Sequence, residues 1–468
     1  MSGELVNDIH SELNATRVAR LIEPAGLESL VETVRGAISS GTQLSLCGGR
    51  HAMGGQQFAA DTWLIDMRRH AEIHSFDQER GLITVDAGIQ WPELIAGYRA
   101  LQRADCPAWG IRQKQTGADR LTIGGALAAN VHGRGLRMPP IIADVEAFTL
   151  IVAPGEVRRC SREDNAELFR LAIGGYGLFG IIADVTLRLM PRVKVERRVE
   201  LITLEELIRV PEERDTRDWL FGDFQYSIDE RSEDFLRRGV FSAYHRIDDD
   251  TPMSAGQNAL REEDWQRLLQ LAHTDRARVF DDYAAYYLST NRQRYWSDTH
   301  QLGTYAEGYH QEIDRQLGLA DKHREMITEI YVPRLALAAF MGRAAEFLRA
   351  GGVPVVYGTI RLIERDNESF LAWAREPWAC VIFNLCVTHT PAGISAAQAA
   401  FRGLIDLAIV FRGSYYLTYH RWATRTQVET CHPRMREFLR LKQAHDPGEI
   451  FTSDWHRHYK DLFASFSR

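Results

Sequence analysis

Through PAGLESLVETVRGAISSG, Pro24 to Gly41, apolar residues recur at helical spacing and the run ends on glycine, which predicts an amphipathic helix. Short apolar stretches in LSLCG and LITVDAG then predict strands. The Gly-Gly pair of TIGGALAANVHG opens a second helix-like segment, and ADVEAFTLIVAPGEVRRC reads as a hairpin turned at Pro-Gly. NAELFRLAIGGYGLFGIIADVTLRLMPR adds a helix, a glycine-rich turn and a long apolar strand. Residues 1–192 are therefore expected to form an α+β domain.

From about Val193 the pattern becomes richer in charge and aromatics. Strand candidates such as EIYVPRLAL, VPVVYGTIRLIE and WACVIFNLCVTH alternate with helices such as LAAFMGRAAEFLRAGG, which predicts a second α+β domain over residues 193–411. The remaining segment, 412–468, contains HPRMREFLRLKQAHDPGEIF, a helix broken at Asp-Pro-Gly and followed by a short apolar piece. No internal repeat or low-complexity stretch interrupts this order.

Composition narrows the partners. The chain has 468 residues, 45% of them hydrophobic and 25% charged, with a formal net charge of -7. Two or three globular domains follow from that length. Without a long basic run there is no footprint for a nucleic-acid backbone or an anionic membrane. Six cysteines, Cys47, Cys106, Cys160, Cys380, Cys386 and Cys431, are scattered without metal-knuckle spacing, so neither a disulfide framework nor a metal site is expected. The polar N-terminus lacks a signal-peptide core, and no run is expected to reach the ~18 apolar residues of a membrane span. The expectation is a soluble, cytoplasmic protein.

Glycine carries the first chemical signal. In LSLCGGRHAMGGQQF, Gly48, Gly49, Gly54 and Gly55 allow close backbone approach, so consecutive N–H groups can face one concavity and hold a pyrophosphate; a tight turn is the other reading. The spacing matches neither a dinucleotide-fold fingerprint nor a P-loop. Two more glycine-rich segments, LTIGGALAANVHGRG and GGYGLFG, lie in the same domain. Three such segments suggest backbone lining a long, flat cofactor.

Taken in order, these motifs resemble the vanillyl-alcohol-oxidase-type (PCMH-type) FAD-binding fold. CGGRHAMGG looks like that family's pyrophosphate loop, LTIGGALAANVHGRG like its isoalloxazine-flanking segment, and GGYGLFGIIADVTLRL like its adenine-side turn and strand. The similarity is strongest to the decaprenylphosphoryl-ribose oxidase, alditol oxidase and aldonolactone oxidase branch, and weakens between about Val193 and Gly352. The resemblance implies a two-domain α+β fold with a substrate (cap) domain over the flavin, and a C-terminal segment returning to the FAD domain.

Several residue roles are implied by the same resemblance. His51 matches a histidine that tethers FAD covalently in alditol oxidases, with Ala52 where serine is usual; lining the pocket without attachment is the alternative. Gly49, Arg50, Ala52, Met53, Gly54 and Gly55 are expected at the pyrophosphate. Gly117, Thr122, Gly125, Ala128, Asn130 and His132 are expected along ribityl and ring, with Gly177, Gly180 and Ile182 near adenine. His132 reads equally as a satisfied histidine under a turn.

Oxidising a CH–OH carbon needs a base for the hydroxyl proton and a positive group near the flavin. VVYGTIRLIE resembles the strand that supplies Glu-x-Arg in alditol oxidase; here Thr359 and Arg361 stand there, so the charge is kept and the acid is absent. YYLTYHRWATRTQ resembles the segment that supplies an active-site lysine, and His420 or Tyr419 takes that place. Asn384 is a further candidate. The aromatics Tyr287, Tyr295, Trp296, Tyr305 and Tyr309 suit a substrate entrance, a homodimer contact or ordinary core.

The function implied is an FAD-dependent oxidase or dehydrogenase acting on a sugar-like, lactone or other alcohol substrate, with oxygen or a small redox carrier as electron acceptor. The alternatives are a C=C reductase of the sterol-reductase type using NAD(P)H, and a flavin-free binding protein on the same fold.

Overall fold

The computed structural model describes residues 3–254, 256–303 and 309–464. The first predicted helix forms over Leu27–Ser39, with Leu30, Val34 and Ala37 buried along one face as the apolar spacing requires. It packs beside a parallel three-stranded sheet in the order Arg20–Ile22, Trp63–Asp66, Leu44–Cys47. A five-stranded antiparallel sheet follows, ordered Glu156–Ser161, Val145–Val152, Ile181–Arg188, Leu82–Asp86, Ile73–Asp77. The hairpin signal at Pro-Gly is the pairing of its first two strands.

The second domain is built on an eight-stranded antiparallel sheet. Its order is Arg294–Trp296, Lys194–Thr203, Arg238–Arg246, Trp219–Tyr226, Val355–Ile363, Trp378–Thr388, His323–Pro333, Ser414–Tyr415. Register assigns the faces, because residues directly opposite one another share a side. Glu329 pairs with Ile382 and Ile382 with Thr359, while Arg361 pairs with Cys380. Ile327, Glu329, Thr359 and Arg361 therefore lie on one face, and the pairings of Phe224 with Ile360 and Asp223 with Ser242 add Asp223, Gln225 and Ser242 to it.

The opposite face is apolar and carries helices Leu337–Gly351 and Pro391–Val410, with Phe340 against Phe383. Helix Pro391–Val410 corrects one expectation: its 20 residues, at mean hydropathy 1.3, reach membrane-spanning length and composition. Phe401, Leu404 and Ile405 on its buried side pack into the core, which is the physical reason for its apolar sequence.

The aromatic insert mostly fills the polar-face interior. Tyr287 and Tyr295 flank the Arg197 guanidinium at 5.2 and 5.1 Å, and Trp296 stacks under Arg192 at 4.2 Å. Tyr309 begins the helix Tyr309–Gln316, while Tyr305 lies outside the described residues.

Both ends of the chain tie the domains together. The Leu44 amide donates to the Ile450 carbonyl at 2.6 Å and the Thr452 amide to Leu44 at 2.8 Å, while the Trp455 amide donates to Gly55 at 3.1 Å. Near the N-terminus, Glu12 pairs with Arg324 of the cap at 3.2 Å.

Candidate active site

The strand Leu44–Cys47 ends in the loop that holds the candidate cofactor residues. A Cβ on Gly49 would stand 2.1 Å from the Arg120 carbonyl and 2.8 Å from His51, so only glycine lets this backbone lie so close. Side-chain amides then fix the loop. Gln56 accepts from the Gly54 amide at 3.0 Å and donates to the Leu417 and Thr418 carbonyls at 2.9 Å each. Gln57 donates to Ala52 at 2.6 Å and Asn14 to Met53 at 2.7 Å. The loop is thereby set before any ligand arrives.

This loop forms one wall of a cleft. Gly49, Arg50, His51, Ala52 and Met53 line it, with Gly117, Thr122, Gly125 and Ala128 on a second wall and Gly177, Gly180 and Ile182 on a third. At its far end the cleft meets the polar face of the cap sheet through Ile327 and Tyr419. Thr122 caps the helix Ile123–Ala129 by accepting from the Gly125 amide at 3.2 Å, which turns small side chains toward the opening.

Three buried polar atoms in this cleft have no hydrogen-bond partner among the described residues: Arg50 Nε, His51 Nε2 and Gln115 Oε1. Buried polar groups are normally satisfied, so these atoms point to a ligand. A flat, phosphorylated cofactor fits that set: glycine walls for close approach, a guanidinium for phosphate and an imidazole at the cap end.

His51 is held for chemistry as a neutral ring. Its Nδ1 lies 2.9 Å from His10 Nε2. Burial, helped by the neighbouring His10 and opposed by the Arg120 backbone, lowers it to about 3, so it is uncharged at ordinary pH.

Other sequence-derived candidates lie off the cleft. Gly54 and Gly55 do not line it; they pack against Gln56 and the Arg421 guanidinium. Asn130 is committed elsewhere, donating to Asp366 at 2.8 Å and accepting from the Ile142 amide at 3.2 Å at the end of its helix. Asn384 donates to Glu325, with its Oδ1 unpartnered among the described residues.

His420 is the main correction. It faces away from the cleft, with Thr328 Oγ1 3.5 Å from its Nε2 and the Trp422 amide donating to its Nδ1 at 3.3 Å. Its ring packs 4.5 Å from Phe401, and burial lowers it to about 3. The preceding residue takes the inward position: after the strand Ser414–Tyr415 the chain turns, and Thr418 and Tyr419 line the cleft while His420 does not.

Behind Tyr419 stands an acid that the sequence did not single out. Tyr419 donates to Glu329 Oε1 at 2.9 Å, and Tyr331 donates to Glu329 Oε2 at 2.9 Å. His132 Nε2 is 3.0 Å from the same Oε2, and His132 Nδ1 is 3.0 Å from the Gly133 carbonyl. Burial alone would raise Glu329; the charge and hydrogen bond of His132, with Arg361 and Tyr419, hold it below the usual carboxylate range. Glu329 was hidden because EIYVPRLAL shows it as one acid opening an apolar run; only the sheet register puts it on the face of Thr359, across the intervening Ile382, where the acid of Glu-x-Arg is missing.

Arg361 is buried on that same face, and its Nε and Nη1 have no partner among the described residues. Thr359 Oγ1, Gln225 Oε1 and Ser242 Oγ on the face are likewise unpartnered.

Comparison with known proteins agrees with this geometry. Residues 18–161 match the FAD binding domain family. An L-gulono-1,4-lactone dehydrogenase of Mycobacterium tuberculosis is 23% identical over 93% of this chain and 95% of its own length. An uncharacterized oxidoreductase from the fasciation locus of Rhodococcoides fascians is 27% identical over 51% of this chain, which spans 54% of that relative. Among solved structures, cholesterol oxidase from B. sterolicum superposes with a TM-score of 0.69 at 14% identity, covering 97% of this chain and 96% of that one.

Proposed function

We propose, from the premise that this chain is an FAD-linked oxidoreductase carrying a PCMH-type FAD-binding domain, that it oxidises the CH–OH group of a polyhydroxylated, sugar- or lactone-like substrate. One observation carries the reading. The cofactor cleft meets, at Ile327, a sheet face on which Arg361, Thr359, Gln225 and Ser242 carry buried polar atoms with no partner among the described residues. A substrate rich in hydroxyls supplies partners to such atoms, whereas an apolar alcohol leaves them stranded at a cost of about 1–3 kcal/mol each.

Bound FAD supplies the hydride acceptor. Arg361 offers a fixed positive charge to the negative charge that develops in the site. His51, neutral and with Nε2 free of hydrogen bonds among the described residues, is suited to bond covalently to the flavin ring. The similarity to a lactone dehydrogenase over nearly the full length supports the substrate class. Oxygen or a small redox carrier takes the electrons afterwards.

Anaerobic addition of L-gulono-1,4-lactone, alditols and free sugars to the FAD-loaded protein tests the proposal. Bleaching of the yellow colour by at least one of them is expected. Bleaching by NADPH alone, with none from the CH–OH compounds, would instead support a C=C reductase. A colourless protein that does not take up FAD would leave only a binding role.

A further inference from the structure

The Glu329 cluster has a proton count that its geometry constrains. His132 presents each ring nitrogen to an oxygen: Nδ1 to the Gly133 carbonyl at 3.0 Å and Nε2 to Glu329 Oε2 at 3.0 Å. A carbonyl and a carboxylate both accept, so an imidazole with a single N–H would turn a lone pair against an oxygen. Glu329 already receives hydrogen bonds from Tyr331 and Tyr419, and the Cys380 thiol lies 3.7 Å from Oε2. The whole cluster is sealed, with His132 and Glu329 both at 0% exposure. Among its members Tyr419 reaches the cofactor cleft, where Gln115 Nε2 lies 3.4 Å from its oxygen.

We propose that His132 is a buried imidazolium paired with ionised Glu329, and that Tyr419 connects this pair to the substrate hydroxyl as the proton acceptor of the oxidation. The catalytic part rests on the function proposed above; the charge state of the pair does not. The substrate O–H gives its proton to Tyr419 Oη as the Tyr419 proton passes to Glu329 Oε1. With FAD bound, the cofactor would accept the carbinol hydrogen with both C–H electrons, leaving the carbon as a carbonyl. His132 stays protonated throughout, so the trio gains one positive charge, which would offset the negative charge of a reduced flavin.

The groups facing Glu329 favour this direction. Arg361 is cationic, while Tyr331, Tyr416 and Tyr419 are phenols that burial keeps protonated, as it does the Cys380 thiol. Glu329 thus supplies the acid absent at Thr359, from the other side of the strand Trp378–Thr388.

Two measurements test the proposal. Nitrogen NMR of ¹⁵N-histidine-labelled protein at mildly alkaline pH should show a signal, lost in His132→Asn, with both ring nitrogens protonated. In Glu329→Gln that signal should shift to a neutral tautomer. A neutral His132 in the wild-type protein overturns the proposal whatever the flavin does. In the second measurement Tyr419→Phe, which keeps the ring, should slow anaerobic flavin reduction by L-gulono-1,4-lactone ~100-fold and flatten its pH profile, with FAD retained. An unchanged rate and profile would remove Tyr419 from the path. Failure of every CH–OH compound to reduce the wild-type flavin would refute the proposed function instead, and the nitrogen signals would still decide the charge state.

Discussion

At the scale of single residues, the protein buries ionisable groups in two opposite ways. His51 and His420 are stripped of water, with cationic groups nearby adding to the effect, and fall to about 3, while Glu329 is surrounded by donors and stays ionised. For His51 this predicts that His51→Ala releases all its flavin to the supernatant on acid precipitation, whereas the wild-type pellet stays yellow. For stability the sign follows from proton uptake. His51, His420 and His432 have folded values of about 3, below the unfolded value of 6.5, so between these values the unfolded chain binds protons that the native one refuses. Stability is therefore present above pH 6.5 and is lost as pH falls below it, by about 2 kcal/mol per fully buried histidine at pH 5. Thermal melts at the two ends of that range check this, and His420→Gln should reduce the drop. The sequence made the choice between His420 and Tyr419 legible only as a pair, because the two follow a turn whose geometry no periodic pattern announces.

Elements impose a different constraint, that of backbone proximity. The glycines of LSLCGGRHAMGGQQF were readable because close approach leaves a local compositional trace, and Gly49 against Arg120 is where that trace has its cause. Gly49→Ala should displace the loop, cost about 1–3 kcal/mol from overpacking and lower FAD retention, measured as flavin per protein after gel filtration. Gln56 was not readable. Its amide holds Gly54 to Leu417 and Thr418 across more than 360 positions of sequence, a contact no local pattern announces. Gln56→Ala should therefore destabilise by about 1–3 kcal/mol through loss of the bonds to the Gly54 amide and the Thr418 carbonyl, the Leu417 carbonyl keeping the Trp455 indole, with a matching fall in the melting temperature. Similarly, Glu329 became visible only once three strands were aligned.

For the whole molecule, the cofactor domain is completed by residues distant in sequence. Leu44 shares backbone hydrogen bonds with Ile450 and Thr452, and Phe451 forms a parallel bridge with it. A fragment of residues 1–192 should therefore fail to retain FAD, while the full chain retains it under the same conditions. The order of elements within each half was legible from periodicity, but the cap sheet places residue 415 beside 330 and 224 beside 360, pairings that sequence pattern cannot supply. Those pairings put Arg361, whose Nε and Nη1 have no partner among the described residues, on one sheet face with the buried acid Glu329, which Tyr419 links to the cofactor cleft. The central claim is that a CH–OH substrate bound at this juncture gives up hydride from its carbinol carbon to FAD. Anaerobic stopped-flow bleaching of the FAD-loaded protein, with a reducing lactone or sugar carrying hydrogen or deuterium at that carbon, tests it most directly. Slower bleaching with deuterium is the predicted result; equal rates for the two, or no bleaching by any CH–OH compound, would contradict it.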